Sequence, residues 1–249
     1  MLGEPVYETM GTSYAATRAG DPRIEWLIRG ELGDVESVVN IGAGTGSYEP
    51  TDIPVVAVEP SPTMIAQRRP GSAPARRGVA EALPLRDGEV DAALAAMTTH
   101  HWTDFAGALG EIRRVVRRRA VFFTCDPDAE SFWLFRDYFP SILTDARTRL
   151  PPLAAYQALG PAAIVRVPIP RDCSDGFAAA YWARPDAYFD PARRANISGF
   201  HFISKAELRR GLARLRADLD SGEWHRNHAA GDREALDCGY RLVVVEISR

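Results

Sequence analysis

Gly42, Gly44 and Gly46 recur at every second position directly after an apolar run, residues 37–41. Glycines there let the chain turn tightly and let a ligand lie against bare backbone. The spacing narrows the ligand. A dinucleotide loop written G-x-G-x-x-G would place its last glycine at position 47, where this chain has Ser47, so a pyrophosphate cradle, and with it a nucleotide-linked oxidoreductase, is disfavoured. Glu59 follows a second apolar run, 54–58, seventeen residues past Gly42. A carboxylate at the end of a second strand can accept hydrogen bonds from both hydroxyls of a ribose lying across the sheet. A ribose without a pyrophosphate means a nucleoside.

Proton-transfer groups follow a third apolar run, 90–95, in His100 and His101. An imidazole there is expected to act near neutral pH without a large pKa shift. His100 is the first candidate for a general base, because Trp102 and a helix cap at Asp104 tie His101 more closely to the scaffold. Asp172 and Asp175 lie beside Phe177, Tyr181 and Trp182, a candidate aromatic pocket wall with a carboxylate. Cys173 has no identifiable base, and His201 is expected to be packed. Arg113, Arg114, Arg117, Arg118 and Arg119 form a basic run that could attract a phosphate backbone. A helix returning from the carboxyl edge of a parallel sheet ends at the opposite edge, so the run reads as the solvated end of that helix, where cations suit the dipole.

The elements that must hold these groups alternate. Asp21-Pro22 and Ser61-Pro62 each pair a capping residue with proline at the first helical position, and a further helix is expected from Asp104 with Phe105, Leu109, Ile112 and Val116 on one face. Strands are expected at 37–41, 54–58, 90–95, 120–125 and 241–247. Strand and helix in alternation imply an α/β fold with a doubly wound, mostly parallel sheet. Residues 127–210 break the alternation with many aromatics and prolines. They are expected to fold over the sheet as a helical lid after the fifth strand, carrying one strand at 164–169.

At 249 residues, 46% hydrophobic, 25% charged and a net charge of −3, the chain reads as one domain. That balance argues against nucleic-acid and membrane partners. Cys125, Cys173 and Cys238 lack metal or disulfide spacing. No apolar leader or span of 18 residues is seen, so a cytoplasmic protein with a small-molecule partner is expected, with homodimer formation allowed.

The segments VVNIGAGTGSYE, VVAVEPSPTM and GVAEALPLRDGEVDAALAAMTTHHWTD resemble the successive motifs of class I S-adenosylmethionine-dependent methyltransferases. The resemblance covers roughly residues 7–125 and returns at the C-terminus. It implies a seven-stranded Rossmann-like sheet, S-adenosylmethionine as cofactor and S-adenosylhomocysteine as product. It also implies cofactor contacts from Gly42, Ala43, Gly44, Gly46 and Met97, ribose binding by Glu59, and adenine packing on Ser61 and Met64 with Ala80 and Glu81 at the ring edge. Residues 1–35 resemble the segment that closes over the methionine end, which implies Tyr14 and Arg18, the latter as a donor fork for the cofactor carboxylate. Two positions depart from the family pattern. Asn40 stands where an acid is usual at the end of the first strand, and Val79 stands where many relatives have an aspartate. Transfer of a methyl group to oxygen, nitrogen or carbon of a small molecule, for instance a secondary metabolite, is the activity this implies; cyclisation chemistry on the same cofactor fold is the alternative.

Overall fold

The computed structural model describes residues 18–228 and 231–247. Asp21 accepts from the Arg23 N–H at 3.0 Å and Pro22 takes the first helical position, so α1 (Pro22–Leu32) begins where cap and proline place it. Ile24, Ile28 and Leu32 share its buried face. Two further helices start in the same local way: Ser61 caps α2 (Pro62–Ala66) and Asp104 caps α3 (Phe105–Val115).

Nine strands follow the chain: β1 (Val38–Ile41), β2 (Val55–Glu59), β3 (Ala75–Arg77), β4 (Val90–Ala96), β5 (Val116–Cys125), β6 (Ala162–Arg166), β7 (Ile169–Pro170), β8 (Ala235–Leu236) and β9 (Tyr240–Glu246). Seven form one sheet in the order β3-β2-β1-β4-β5-β9-β6. β9 runs antiparallel to both its neighbours, and the other pairings are parallel. β7 and β8 make a separate two-stranded ribbon. Both faces of the sheet are covered, which is why its strands read as unbroken apolar runs. Val38, Leu94 and Phe123 pack toward α1 and the aromatic segments, whereas Val39, Ala93 and Phe122 pack toward α3. The order reverses beside β1, and crevices at such a reversal, beyond the carboxyl ends of the strands, are where ligands bind. The glycine loop lies there.

Three expectations are corrected. β5 starts at Val116 rather than 120, because three arginines hide the apolar pattern, and α3 passes into it with no loop. Only Arg113 and Arg114 therefore lie in the last helical turn. Arg117, Arg118 and Arg119 are strand residues paired with Asp91, Asp34 and Glu246. The strand expected at 164–169 is not part of a lid: β6 is the edge of the main sheet, and the stretch before it, Leu153–Leu159, packs Tyr156 against Phe122 and Phe105 on the α3 side. The edge strand β3 had no signal in the sequence, being three residues long with two of them arginine. What faces the carboxyl edge of the sheet is reduced to two stretches, 129–150 with α4 (Pro140–Arg149) and 177–202 with α5 (Pro191–Ala195). Helices α6 (Lys205–Asp220) and α7 (Glu223–His228) close the outer side. Among the described residues no helix is long and apolar enough to cross a membrane.

Candidate active site

The glycine loop hangs from β2 by two bonds, since the N–H groups of Gly42 and Ala43 both donate to Val58 O, at 2.9 and 3.0 Å. Gly42 has φ +66°, and a Cβ there would sit 2.0 Å from Thr98 Oγ1, so only glycine lets this turn touch the loop after β4. Gly44 differs. Its φ is +51°, and a Cβ would meet nothing within 4 Å. The loop thus presents bare backbone to open space.

Glu59 closes the loop from below. One oxygen accepts from Gly44 N at 2.8 Å and the other from Ser61 N at 2.9 Å. Burial raises its pKa and these two N–H groups pull it back. Ser61 in turn caps α2 and sets Met64, which is buried, beside the carboxylate. Ala80 is also buried, while Glu81 accepts from Thr103 N (2.7 Å) and Asp104 N (3.1 Å), tying the segment after β3 to the start of α3.

Asn40 is buried at the end of β1 and donates to Glu49 Oε1 at 3.0 Å. Arg68 reaches both oxygens of Glu49 at 2.7 Å and also donates to Gly44 O at 3.2 Å. Sequence reasoning missed this pair. The acid absent from β1 is delivered nine residues later by Glu49, but already neutralised by Arg68, and Asn40 Oδ1 is left without a partner. A buried acceptor facing the loop is what an ammonium group would complete.

Arg18 is buried and its Nε donates to Asp175 Oδ1 at 2.8 Å, while Tyr48 donates to Asp175 Oδ2 at 2.6 Å. Ser47 donates to the Arg18 carbonyl at 3.2 Å. Tyr48, φ +65°, and Met97, φ +54°, hold the left-handed conformation without being glycine, a strain that proteins keep mainly where geometry serves a site. Of the two carboxylates, Asp172 is exposed and paired with Arg23, whereas Asp175 lies in the interior. Tyr14 lies outside the described residues. Cys173 is buried with its thiol pushed up to about 12 by burial, which bars it from acting as a nucleophile. His201 is exposed rather than packed.

Beyond Arg18 and Met97 opens a cavity of about 1160 Å³ including its mouth. Its floor is the carboxyl edge of the sheet, with His100, Cys125 and Tyr240; its far wall is aromatic and aliphatic, with Phe132, Ile142 and Phe202. His100 and His101 occupy a short turn with ring centroids 3.8 Å apart. The expectation of an unperturbed imidazole fails. Burial, then the neighbouring His101, then the Arg149 and Arg18 cations hold His100 well below its usual value, and burial with Arg149 brings His101 to about 4. Both rings stay neutral at pH 7. His100 Nε2 is buried without a partner.

Residues 39–124 match the model of a methyltransferase domain. The structure superimposes with a TM-score of 0.82 on a protein from Anabaena variabilis assigned as a methyltransferase of an antibiotic biosynthesis pathway; the two are 33% identical over 92% of this chain and 98% of that one. An uncharacterized methyltransferase of Mycobacterium tuberculosis is 35% identical over 120 residues, 44% of this chain and 48% of the relative, so the match spans about half the length of the curated relatives. Geranyl diphosphate C-methyltransferase from Streptomyces coelicolor, solved with S-adenosyl-L-homocysteine, shares the fold at a TM-score of 0.52 and 15% identity, over 91% of this chain and 76% of that one. Sheet order and glycine loop define a class I methyltransferase fold. This chain belongs to the S-adenosylmethionine-dependent methyltransferase family.

Proposed function

We propose that the protein transfers the methyl group of S-adenosylmethionine to a small molecule held in the cavity beside the glycine loop. One observation carries this reading: cavity and loop share a border. Arg18 lines the cavity while its carbonyl accepts from Ser47 of the loop, and Thr98, two residues before His100, lies against Gly42. A ligand on the loop and one in the cavity would meet at that border, and holding two reactants in line is most of what such a displacement needs.

In this reading Gly42, Ala43, Gly44 and Gly46 leave backbone bare for the methionine portion. Glu59 keeps its remaining lone pairs for the ribose hydroxyls, and Asn40 Oδ1 accepts a hydrogen bond from the ammonium. Arg18, and Tyr14 from the preceding segment, close the methionine end. Ser61, Met64, Ala80 and Glu81 border the adenine, and Met97 separates the two ligands. Bound S-adenosylmethionine supplies an electrophilic methyl group and leaves as S-adenosylhomocysteine. His100, neutral, accepts through Nε2 the proton that the attacking atom releases as its bond to carbon forms. His101 packs on His100 and fixes its ring. Stretches 129–150 and 177–202 act as the lid that keeps water from the transfer.

The antibiotic-pathway assignment of the Anabaena protein favours a secondary metabolite as acceptor. A cytoplasmic location and a homodimer complete the reading, with Trp26, 74% exposed on α1, marking the contact between copies. Incubation with methyl-labelled cofactor and a panel of phenols, amines and carboxylates tests it. Labelled product together with S-adenosylhomocysteine is expected; cofactor binding with no methylated product from any class would turn the reading toward cyclisation.

A further inference from the structure

Asn196, which no sequence signal singled out, lines the same cavity as His100. It follows the last residue of α5 and is 2% exposed. Its Nδ2 donates to Ala192 O at 3.2 Å, which fixes the amide orientation, and its Oδ1 is buried with no partner. A helix cap uses only the donor half of that amide. The acceptor half is stranded, and a stranded buried oxygen is kept where something completes it.

The loop that carries Asn196 is rigid. Gly199 lies so close to Ile142 of α4 that a Cβ would come within 2.9 Å of its Cγ2, Phe200 meets Phe139 edge to face at 5.1 Å, and the Arg149 guanidinium covers Phe202 at 3.5 Å. Carboxylates outnumber cations around the cavity, because Asp126 lines it as well. Its two arginines face carboxylates, Arg18 on Asp175 and Arg149 on Asp145, at 2.8 and 2.7 Å. An anionic acceptor would have to break one of these pairs in a mostly apolar chamber, which disfavours phosphates and carboxylates.

We propose that Asn196 is the specificity residue for an uncharged, ring-bearing acceptor with two polar groups, one presented to His100 and a second, a hydroxyl or N–H, donated to Asn196 Oδ1. This rests on the cavity being the acceptor site. Aromatic rings suit the chamber because Phe132, Phe135, Phe177, Phe202 and Tyr240 line it, and both residues that carry an unpartnered polar atom line it too.

Calorimetry on the protein saturated with S-adenosylhomocysteine tests the proposal. The probes are hydroquinone, 2,6-dihydroxynaphthalene and 4,4′-dihydroxybiphenyl, each against its monomethyl ether, so that one hydroxyl always remains for His100. At least one diol is expected to bind about threefold to tenfold more tightly than its ether, the range for one neutral hydrogen bond. Asn196→Leu should remove that preference while leaving ether affinity and S-adenosylhomocysteine affinity in place, and Asn196→Asp, which keeps an accepting oxygen, should retain it. Equal binding of every diol and ether by the wild-type protein overturns the proposal without recourse to any variant. So does a preference that survives in Asn196→Leu, or no binding by any probe. Failure of S-adenosylhomocysteine itself to bind would instead refute the cofactor reading.

Discussion

The two halves of the sheet's carboxyl edge are built differently. On the cofactor half, partners lie within nineteen residues of each other, although Asn40 Oδ1 has none: Glu59 takes N–H groups from residues 44 and 61, Arg68 takes Glu49, and the loop hangs on β2 through Val58 O. On the acceptor half the partners come from far along the chain, as in the Arg18–Asp175 bridge across 157 residues, and two polar side-chain atoms, His100 Nε2 and Asn196 Oδ1, have none. The first half is prepared for one ligand by its backbone. The second is shaped by packing, and its polar atoms are set for a ligand that relatives of the same fold need not share.

The sharpest attempt to break this contrast is at His100. His100→Gln should lower the rate of transfer to a hydroxyl acceptor by about 10²- to 10⁴-fold and leave S-adenosylhomocysteine affinity unchanged. Because the neutral ring is the active form and its pKa is held well below 6.5, kcat/KM in the wild type should stay level as pH falls through 6.5. The rate should drop only at lower pH. Full activity in the variant, or a limb at 6.5, would take the proton-accepting role from His100.

Next in size is the stability of the cofactor half. Arg68→Ala strands Glu49 in a site where both side chains are less than a tenth exposed, and breaking such a buried pair costs about 3–5 kcal/mol. Chemical denaturation would measure it. A loss below about 1 kcal/mol would mean that the loop is held without the pair.

How much of each half can be read in the sequence follows from the same contrast. Caps at Asp21, Ser61 and Asp104 are fixed by neighbours two or three residues away, the glycine loop and Glu59 by the adjoining strand ends, and all are where the sequence places them. Glu49 was hidden because its partner Arg68 lies nineteen residues on, with nothing in the spacing to join them. Asn196 gave no signal, and nothing in the sequence separated Asp175 from Asp172, because burial decides their roles. Asp172, three residues from Asp175, has the same chemistry and sits in solvent. The histidine pKa was misjudged for the same reason, since desolvation by the aromatic wall is not written in residues 98–104.

Glu59→Ala probes the cofactor half more gently. Loss of hydrogen bonds to a charged group is expected to weaken S-adenosylhomocysteine binding by about 1.5–3 kcal/mol, measured by calorimetry. An unchanged dissociation constant would separate Glu59 from the ribose. The smallest effect is expected at the edge away from both ligands: Arg118 pairs with exposed Asp34, and Arg118→Ala should change stability by less than about 1 kcal/mol and activity not at all. A lost activity there would show that the amino edge of the sheet also reaches the ligands.

The Arg18–Asp175–Tyr48 bridge joins the glycine loop to the segment that brings Phe177 and Ala178 to the cavity. If cofactor binding shifts this bridge and so alters acceptor affinity by some factor, acceptor binding must alter cofactor affinity by the same factor. Order of arrival then becomes a matter of rates, while the strength of the ternary complex is the same by either route.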